Sequence, residues 1–387
     1  DLQNLIGGRN YAEKGAVAVF NKNNIATGYT RILETKSTEI APGKDPALDI
    51  VQFESTPSEI CKDNISSSVL SEIAGHKIST DFNMGKANFY KSGAINFSYP
   101  DIGPAKLTLQ DSSFTLVDRA SSDCIAGSDS ITPNTEGKIG CDIKSTFDFT
   151  FLPNDILIDN VTVSNFANNM TYTSSDPGMY AKVLFNAQAR IDDAGRSIAR
   201  LYTKNCYAKN VNFTLDIDQL IPEYTIDNNG NNITDVAQLR NDLLFFDNAT
   251  NLNIKKTTRG TGNIGQYQIL NTVFSDATAI ASGEVRFNFD KNITAPRNPF
   301  TVNSKIFEFK NISDADSVAG ATYKKPNAAN ETNANFYYGR VYAPKKSGPK
   351  KGFDHNVYFG VYCNLCDTDK YIIAKTADLF PDQANWF

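Results

Sequence analysis

The sequence predicts an all-β protein of tandem antiparallel sandwiches, and three observations carry the prediction. Its aromatic residues are mostly Phe (25) and Tyr (17), against one Trp, and there are three Met. With frequent Val, Ile and Thr, that composition suits pleated, half-buried surfaces better than helices. Short segments of apolar–polar alternation recur along the chain, the period of a strand with one face in the core. Between them lie clusters of Gly, Pro, Asn and Asp, as expected of sandwiches or barrels.

In chain order the expected strands are AVAVF at 16–20, ALDIVQF at 47–53, AINFSY at 94–99 and AKLTL at 105–109. FDFTF at 147–151, AKVLFNAQAR at 181–190, EVRFNF at 284–289 and VYFGVY at 357–362 follow. Only 66–74 and 236–246 carry a helical period, and both are short. The rhythm breaks at 119–140, RASSDCIAGSDSITPNTEGKIG, a polar, small-residue stretch bracketed by Cys124 and Cys141 that reads as a long loop or linker. Pro296 and Pro299 follow a strong strand pattern and would stop its ladder. The expected organisation is therefore an N-terminal β domain over 1–118, a linker or disulfide-closed loop over 119–144, a central β-sandwich over 145–293 and a C-terminal β-sandwich over 294–387, the sandwiches being Ig-like.

A chain of 387 residues exceeds what one core usually supports, about 250–300 residues. Its net charge of −5, with lysines scattered along the sequence, is the opposite of a nucleic-acid footprint. No run approaches the roughly 18 apolar residues of a membrane span, so none is expected. The sequence begins at Asp1 without a signal peptide, which is expected of a processed chain or an excised fragment.

Six cysteines are present: Cys61, Cys124, Cys141, Cys206, Cys363 and Cys366. A zinc site at Cys363 and Cys366 needs a second ligand pair of similar spacing, whereas His76 and His355 stand alone and the other cysteines are isolated. A thioredoxin-like centre needs the pair at a helix N-terminus, yet here it ends a strand. Disulfides are the expectation. Cys124 with Cys141 would close the polar loop and constrain the unfolded chain by roughly 3 kcal/mol. Cys363 with Cys366 would pin a strand end, leaving Cys61 and Cys206 to each other by elimination among about 15 pairings. An oxidising compartment follows.

Gly260-Thr261-Gly262-Asn263-Ile264-Gly265 matches G-x-G-x-x-G, but a strand pattern rather than a helix follows, so it reads as a turn. No G-x-S-x-G, H-E-x-x-H or P-loop is present, and no catalytic, cofactor-binding or metal-binding residue is assigned: a non-enzymatic protein is expected. Turns such as Asp216-Ile217-Asp218, Asp227-Asn228-Asn229-Gly230, Asp314-Ala315-Asp316 and Asp367-Thr368-Asp369 offer the oxygen ligands of a structural calcium, solvated turn residues being the plainer reading. The basic loop APKKSGPKKG at 343–352 reads as a soluble hairpin tip, or as a contact to anionic glycan. Phe336 and Tyr338 are expected to pair across that hairpin with the row Val357, Phe359 and Val361. Of ten Asn-x-Ser/Thr sequons, only Asn292 has an acidic residue two positions before it, Asp290, the extended bacterial form, and it is the expected glycan acceptor.

Several segments resemble a known family. SYPDIGPAKLTL at 98–109 is similar to a strand pair of the MSHA-biogenesis MshQ-like family of bacterial surface proteins, and AQARIDDAG at 187–195 to a hairpin of that family. FNFDKN at 287–292, NPF at 298–300, FYYGRV at 336–341 and YCNLC at 362–366 resemble versions of the domain in large cell-envelope proteins of campylobacter-like bacteria. The resemblance implies an exported, sandwich-rich protein of the outer surface or of type IV pili, and brings no catalytic residue. The expected role is adhesion, or a stalk or filament component, at the cell surface. Its partners would be other domains of the same surface protein or filament, and a glycan or protein of a host or neighbouring cell. The alternative is a carbohydrate-binding module or glycan-active enzyme of the envelope.

Overall fold

The alternating segments form strands in sheets that are almost wholly antiparallel, as their period requires. The structure is a computed structural model that describes residues 4–9, 16–18, 49–55, 58–73, 76–78, 86–88, 98–111, 120–166, 169–217, 225–227, 241–246, 254–259, 265–294, 296–321, 323–327, 329–342, 347–348, 358–362 and 371–373. Two units divide the chain, the first built from 1–155, 189–208 and 275–279, the second from 156–188, 209–274 and 280–387.

The first unit contains β1 (Asn4–Ile6), β2 (Ala16–Ala18), β3 (Asp49–Ser55), α1 (Glu59–Asn64), α2 (Ser67–Ile73), β4 (His76–Ile78), β5 (Lys86–Asn88), β6 (Gly103–Asp111) and β7 (Ile143–Leu152). Its main sheet runs β1-β7-β6-β3-β4, with β6 and β7 paired from Gly103↔Phe151 to Asp111↔Ile143. β1 lies parallel to β7 at the edge, and β2 pairs with β5 separately. The expected strand at 94–99 lies largely outside the described residues.

Helix α1 went unpredicted because it has no apolar face: it buries Cys61 and leaves Ile60 63% exposed. Six residues are too few to hold a helix by propensity. Ser58 caps it, accepting from the Cys61 N–H at 3.3 Å, and a disulfide from Cys61 to Cys206 fixes it to the unit. Helix α2, where a helix was expected, buries Ile73.

The second unit contains β8 (Asp155–Asn165), whose first residue is counted with the first unit, β9 (Thr171–Tyr172), β10 (Ala181–Arg190), whose last two residues are likewise, and β11 (Val211–Asp216). β12 (Thr225–Asp227), β13 (Leu243–Phe245), β14 (Ile254–Arg259), β15 (Gly265–Ile269) and β16 (Ile280–Phe289) follow. The C-terminal strands are β17 (Phe300–Asn303), β18 (Glu308–Asp314), β19 (Asn333–Tyr337), β20 (Gly339–Tyr342), β21 (Tyr358–Tyr362) and β22 (Tyr371–Ile373). Sheet β13-β16-β10-β8 packs against two others, β14-β15-β11-β18 and β12-β17-β19-β9, and the aromatic contacts trace the seam. Phe185 of β10 meets Phe213 and Phe309 at 5.3 and 4.9 Å between ring centroids, while Phe287 and Phe289 of β16 meet Phe336 at 5.6 and 4.9 Å. This is an antiparallel β-sandwich. Each such buried side chain contributes about 1.5–3 kcal/mol through burial.

Two strands escape simple alternation for the same reason. In β8 the buried residues shift phase from Ile156 and Ile158 to Val161 and Val163, with Asn160 between them at φ 51°. In β18 the phase shifts from Phe309 to Ile312, with Asn311 at φ 51° and a register break opposite β11. The break in β18 is a bulge, and at both positions asparagine tolerates the left-handed conformation.

Three expectations change. The end of the helical stretch at 236–246 is strand β13, which places Leu243 opposite Phe289 and Phe245 opposite Phe287, so its apolar residues serve a sheet row. Strands on both sides of Pro296 and Pro299 share sheets, β11 with β18 and β12 with β17, so these prolines mark a loop within one sandwich. The aromatic hairpin exists as β20 and β21, but its facing row is Gly339↔Val361 and Val341↔Phe359. Phe336 instead belongs to β19, opposite Phe300. The chain changes sheets at Tyr338, beside Gly339, whose absent side chain leaves room for the Tyr172 ring.

Candidate functional site

Between β6 and β7 the first unit carries the polar stretch singled out in the sequence, described from residue 120. Its small residues do not leave it loose. Cys124 and Cys141 are bonded, with their Cα atoms 5.1 Å apart. Inside this closure the Ile125 N–H donates to the Ile139 carbonyl at 2.8 Å, and the Cys141 N–H to the Ile125 carbonyl at 3.0 Å. The Gly140 N–H donates to the Ser130 carbonyl at 2.8 Å and the Asp142 N–H to that of Ser128 at 2.9 Å. A Cβ at Gly140 would strike the Ser128 carbonyl, so only glycine lets the two limbs meet.

Asn134 folds the far end. Its Oδ1 accepts from the Glu136 and Lys138 N–H groups, each at 2.9 Å, and Lys138 pairs with Glu136 at 2.9 Å, holding that carboxyl below its ordinary range. At the apex Ile131 is 82% exposed, flanked by the Ser130 and Thr132 turn. The result is a compact loop with joined ends, internally bonded, presenting Ile131 among hydroxyls, amides and the exposed side chains of Ala126, Asp129, Pro133 and Glu136. Residues 120–142 hold no aromatic ring.

A second cluster in the same unit has no sequence motif. Asp101 is fully buried; its Oδ1 accepts from the Ile102 and Leu201 N–H groups at 2.9 and 3.2 Å, and its Oδ2 from Arg200 N and Nε at 3.2 and 3.3 Å. Arg200 also reaches Glu72 of α2 at 2.6 Å. Burial pushes the Asp101 carboxyl up to about 6 against the pull of these donors, and the neighbouring Tyr207 hydroxyl up to about 12. Cys206 lies one residue before Tyr207, so one short segment anchors α1 covalently, α2 through Arg200 and the β6 entry through Asp101. Partners about 100 residues apart leave no local sequence signal.

The other expected residues are dispersed. Cys61 is bonded to Cys206, the pairing reached by elimination, whereas Cys363 and Cys366 lie outside the described residues, as do Asp367 and Asp369. Asp314 spends its Oδ1 on the Asp316 and Val318 N–H groups, each at 2.9 Å, capping a turn. Asp216 accepts from the Ile217 N–H at 2.7 Å. Among the described residues no three His, Cys, Asp or Glu side chains gather as a metal site, and no helix is long and apolar enough to cross a membrane. β14 and β15 flank the glycine motif as an antiparallel pair; residues 260–264 between them lie outside the described residues, as does most of the basic loop at 343–352. Asn292 lies in the β16–β17 loop.

On the outer face of β10 and β16, Phe166 is 53% exposed against Tyr180, ring centroids 4.7 Å apart, and the Arg286 guanidinium lies 4.2 Å from the Tyr180 centroid. Glu284 pairs with both Lys182 and Arg286 at 3.1 Å.

No protein-family profile matches the chain, and no curated protein matches it closely. Among solved structures it is similar to BcpA, the major pilin subunit of Bacillus cereus, at 9% identity and a TM-score of 0.22, over 76% of this chain and 65% of the pilin. It is also similar to the T6 backbone pilin of Streptococcus pyogenes serotype M6, at 10% identity and a TM-score of 0.17, over 76% of this chain and 63% of that one. The collagen adhesin of S. aureus matches at 6% identity and a TM-score of 0.17, over 81% and 78% of the two chains. The chain thus spans less than two thirds of either pilin's length, and likenesses this slight carry no inference about its role.

Proposed function

We propose that this chain is an extracellular, non-enzymatic β-sandwich segment of a bacterial surface or pilus-associated protein, and that the disulfide-closed loop at 124–141 is its contact surface in adhesion. The observation that carries the reading is the construction of that loop. A bonded lattice fixes its shape before binding, so little ordering entropy remains to oppose a contact through Ile131. The disulfides favour an oxidising compartment, and the MshQ-like resemblance points to the same one. The partner is a protein on a neighbouring or host cell.

The test is binding of the purified chain to intact cells. Ile131→Asp, and separately Cys124→Ser with Cys141→Ser, should each lower binding at least tenfold, about 1.4 kcal/mol. Protease treatment of the cells should abolish binding, and periodate should spare it. Both variants binding normally would refute the loop. Loss of binding on periodate treatment and in Phe166→Ala would favour instead the carbohydrate-binding alternative, at the exposed ring beside Tyr180.

A further inference from the structure

We infer that Asn292 is a glycan acceptor in a loop shaped to offer it after the chain has folded, an inference that rests on the exported reading above. The sequon Asn292-Ile293-Thr294 lies in the connection between β16 and β17. One residue holds both limbs of this loop. The Asp290 N–H donates to the Asp242 carbonyl at 2.5 Å, and Arg297 reaches the Asp242 carboxylate at 3.1 Å. Lys291 Nζ donates to the Gly339 carbonyl at 2.7 Å and lies 4.9 Å from the Tyr338 ring centroid.

Between these anchors, Asn292 Oδ1 accepts from the Thr294 N–H at 3.1 Å and from its Oγ1 at 2.8 Å. The amide and hydroxyl that define an N-linked acceptor are therefore already in contact. Ile293 between them is 79% exposed, so the apex is open to an approaching enzyme.

The other described sequons are engaged differently. Asn160, Asn169 and Asn311 adopt positive φ of 51°, 58° and 51°, where asparagine serves a left-handed turn or bulge. Asn64 Nδ2 donates to the Ile60 carbonyl at 2.8 Å at the end of α1. Asn212 sits within β11 with its Oδ1 held by Gln268 at 2.9 Å, and the Asn330 N–H closes a turn on the Asn327 carbonyl at 2.9 Å. Asn96, Asn232 and Asn248 lie outside the described residues. Asp290 stands two positions before the acceptor, and its Oδ1 accepts from the Lys291 N–H at 2.8 Å.

In the transfer, Nδ2 bonds to the anomeric carbon of a glycan carried on a lipid diphosphate. The bond from that carbon to the diphosphate oxygen breaks, the diphosphate leaves with the electron pair, and the one proton the amide gives up passes by way of the transferase to the departing diphosphate or to solvent.

The experiment isolates the chain from its native cells after protease shaving of intact cells has established whether it is exposed, then maps modified peptides by mass spectrometry. A glycan mass on the Asn292 peptide is expected, lost in Asn292→Gln and in Thr294→Ala but kept in Thr294→Ser, with unchanged melting of each variant. A surface-exposed chain unmodified at Asn292, or modified at other asparagines alone, overturns the inference while leaving export intact. A chain wholly protected inside the cell overturns the exported reading and this one with it.

Discussion

Where the second unit is held by rows of phenylalanine meeting across a sandwich, the first is held at residues 199–208 by a disulfide, a buried carboxylate and an ion pair. Apolar packing is non-directional and depends on volume, so the second unit should answer chiefly to truncation. Bonds to sulfur and to an ionisable group depend on redox state and pH, so the first should answer to both. Both disulfides of the described residues lie in the first unit, one of them closing the candidate contact loop. The unit that carries the proposed contact loop is thus also the one whose integrity depends on redox conditions.

The largest effect separating the units is expected from Phe287→Ala. Phe287 is fully buried and meets Phe307 and Phe336 at 5.0 and 5.6 Å, so its loss should cost about 3–5 kcal/mol. Hydrogen exchange followed by mass spectrometry should show faster exchange in β10 and β16 with β6 and β7 unchanged. Equal loss in both units would break the comparison. Cys61→Ser with Cys206→Ser is the reciprocal change. That bridge spans 145 residues, for which chain entropy gives about 5 kcal/mol and measured removals about 2–5. Its effect should fall on α1, α2 and β6, leaving the phenylalanine rows protected.

A smaller effect, roughly 3 kcal/mol, belongs to Asp101. Its folded value of about 6 lies above the 3.8 of the ordinary group, so the folded state binds the proton more tightly. The contribution of Asp101 is therefore fully present below about pH 4 and is lost as pH rises through about 6. Wild type should lose stability relative to Asp101→Asn across that window. A difference that stays flat with pH would show that Asp101 keeps its ordinary affinity for protons.

What could be read from the sequence was local. β10, with five buried residues alternating with five partly exposed ones, needed only its period, and the polar loop between Cys124 and Cys141 needed only its composition. β8 hid because the left-handed Asn160 shifts the period midway, and an alternation search ends where the phase changes. β13 read as helix because three apolar residues cannot declare a period. Phe336 and Tyr338 alternate correctly, yet Phe336 lies in β19 while Tyr338 is the junction before β20, and a change of sheet there leaves the pattern intact. The loop's boundaries were legible, whereas its lattice was not, for it depends on which carbonyl each N–H of a serine-rich stretch selects. Asp101 and Arg200 were beyond reach because the fold alone brings them together.

Export and the covalent fastening of the first unit stand or fall together on the state of the cysteines. A disulfide map of the chain taken from its native cells, alkylated before digestion, tests this most directly. It should contain the Cys61–Cys206 and Cys124–Cys141 cross-linked peptides and no alkylated thiol at any of the six cysteines. Alkylated Cys61 and Cys206, or stoichiometric zinc released with thiols at Cys363 and Cys366, would contradict it.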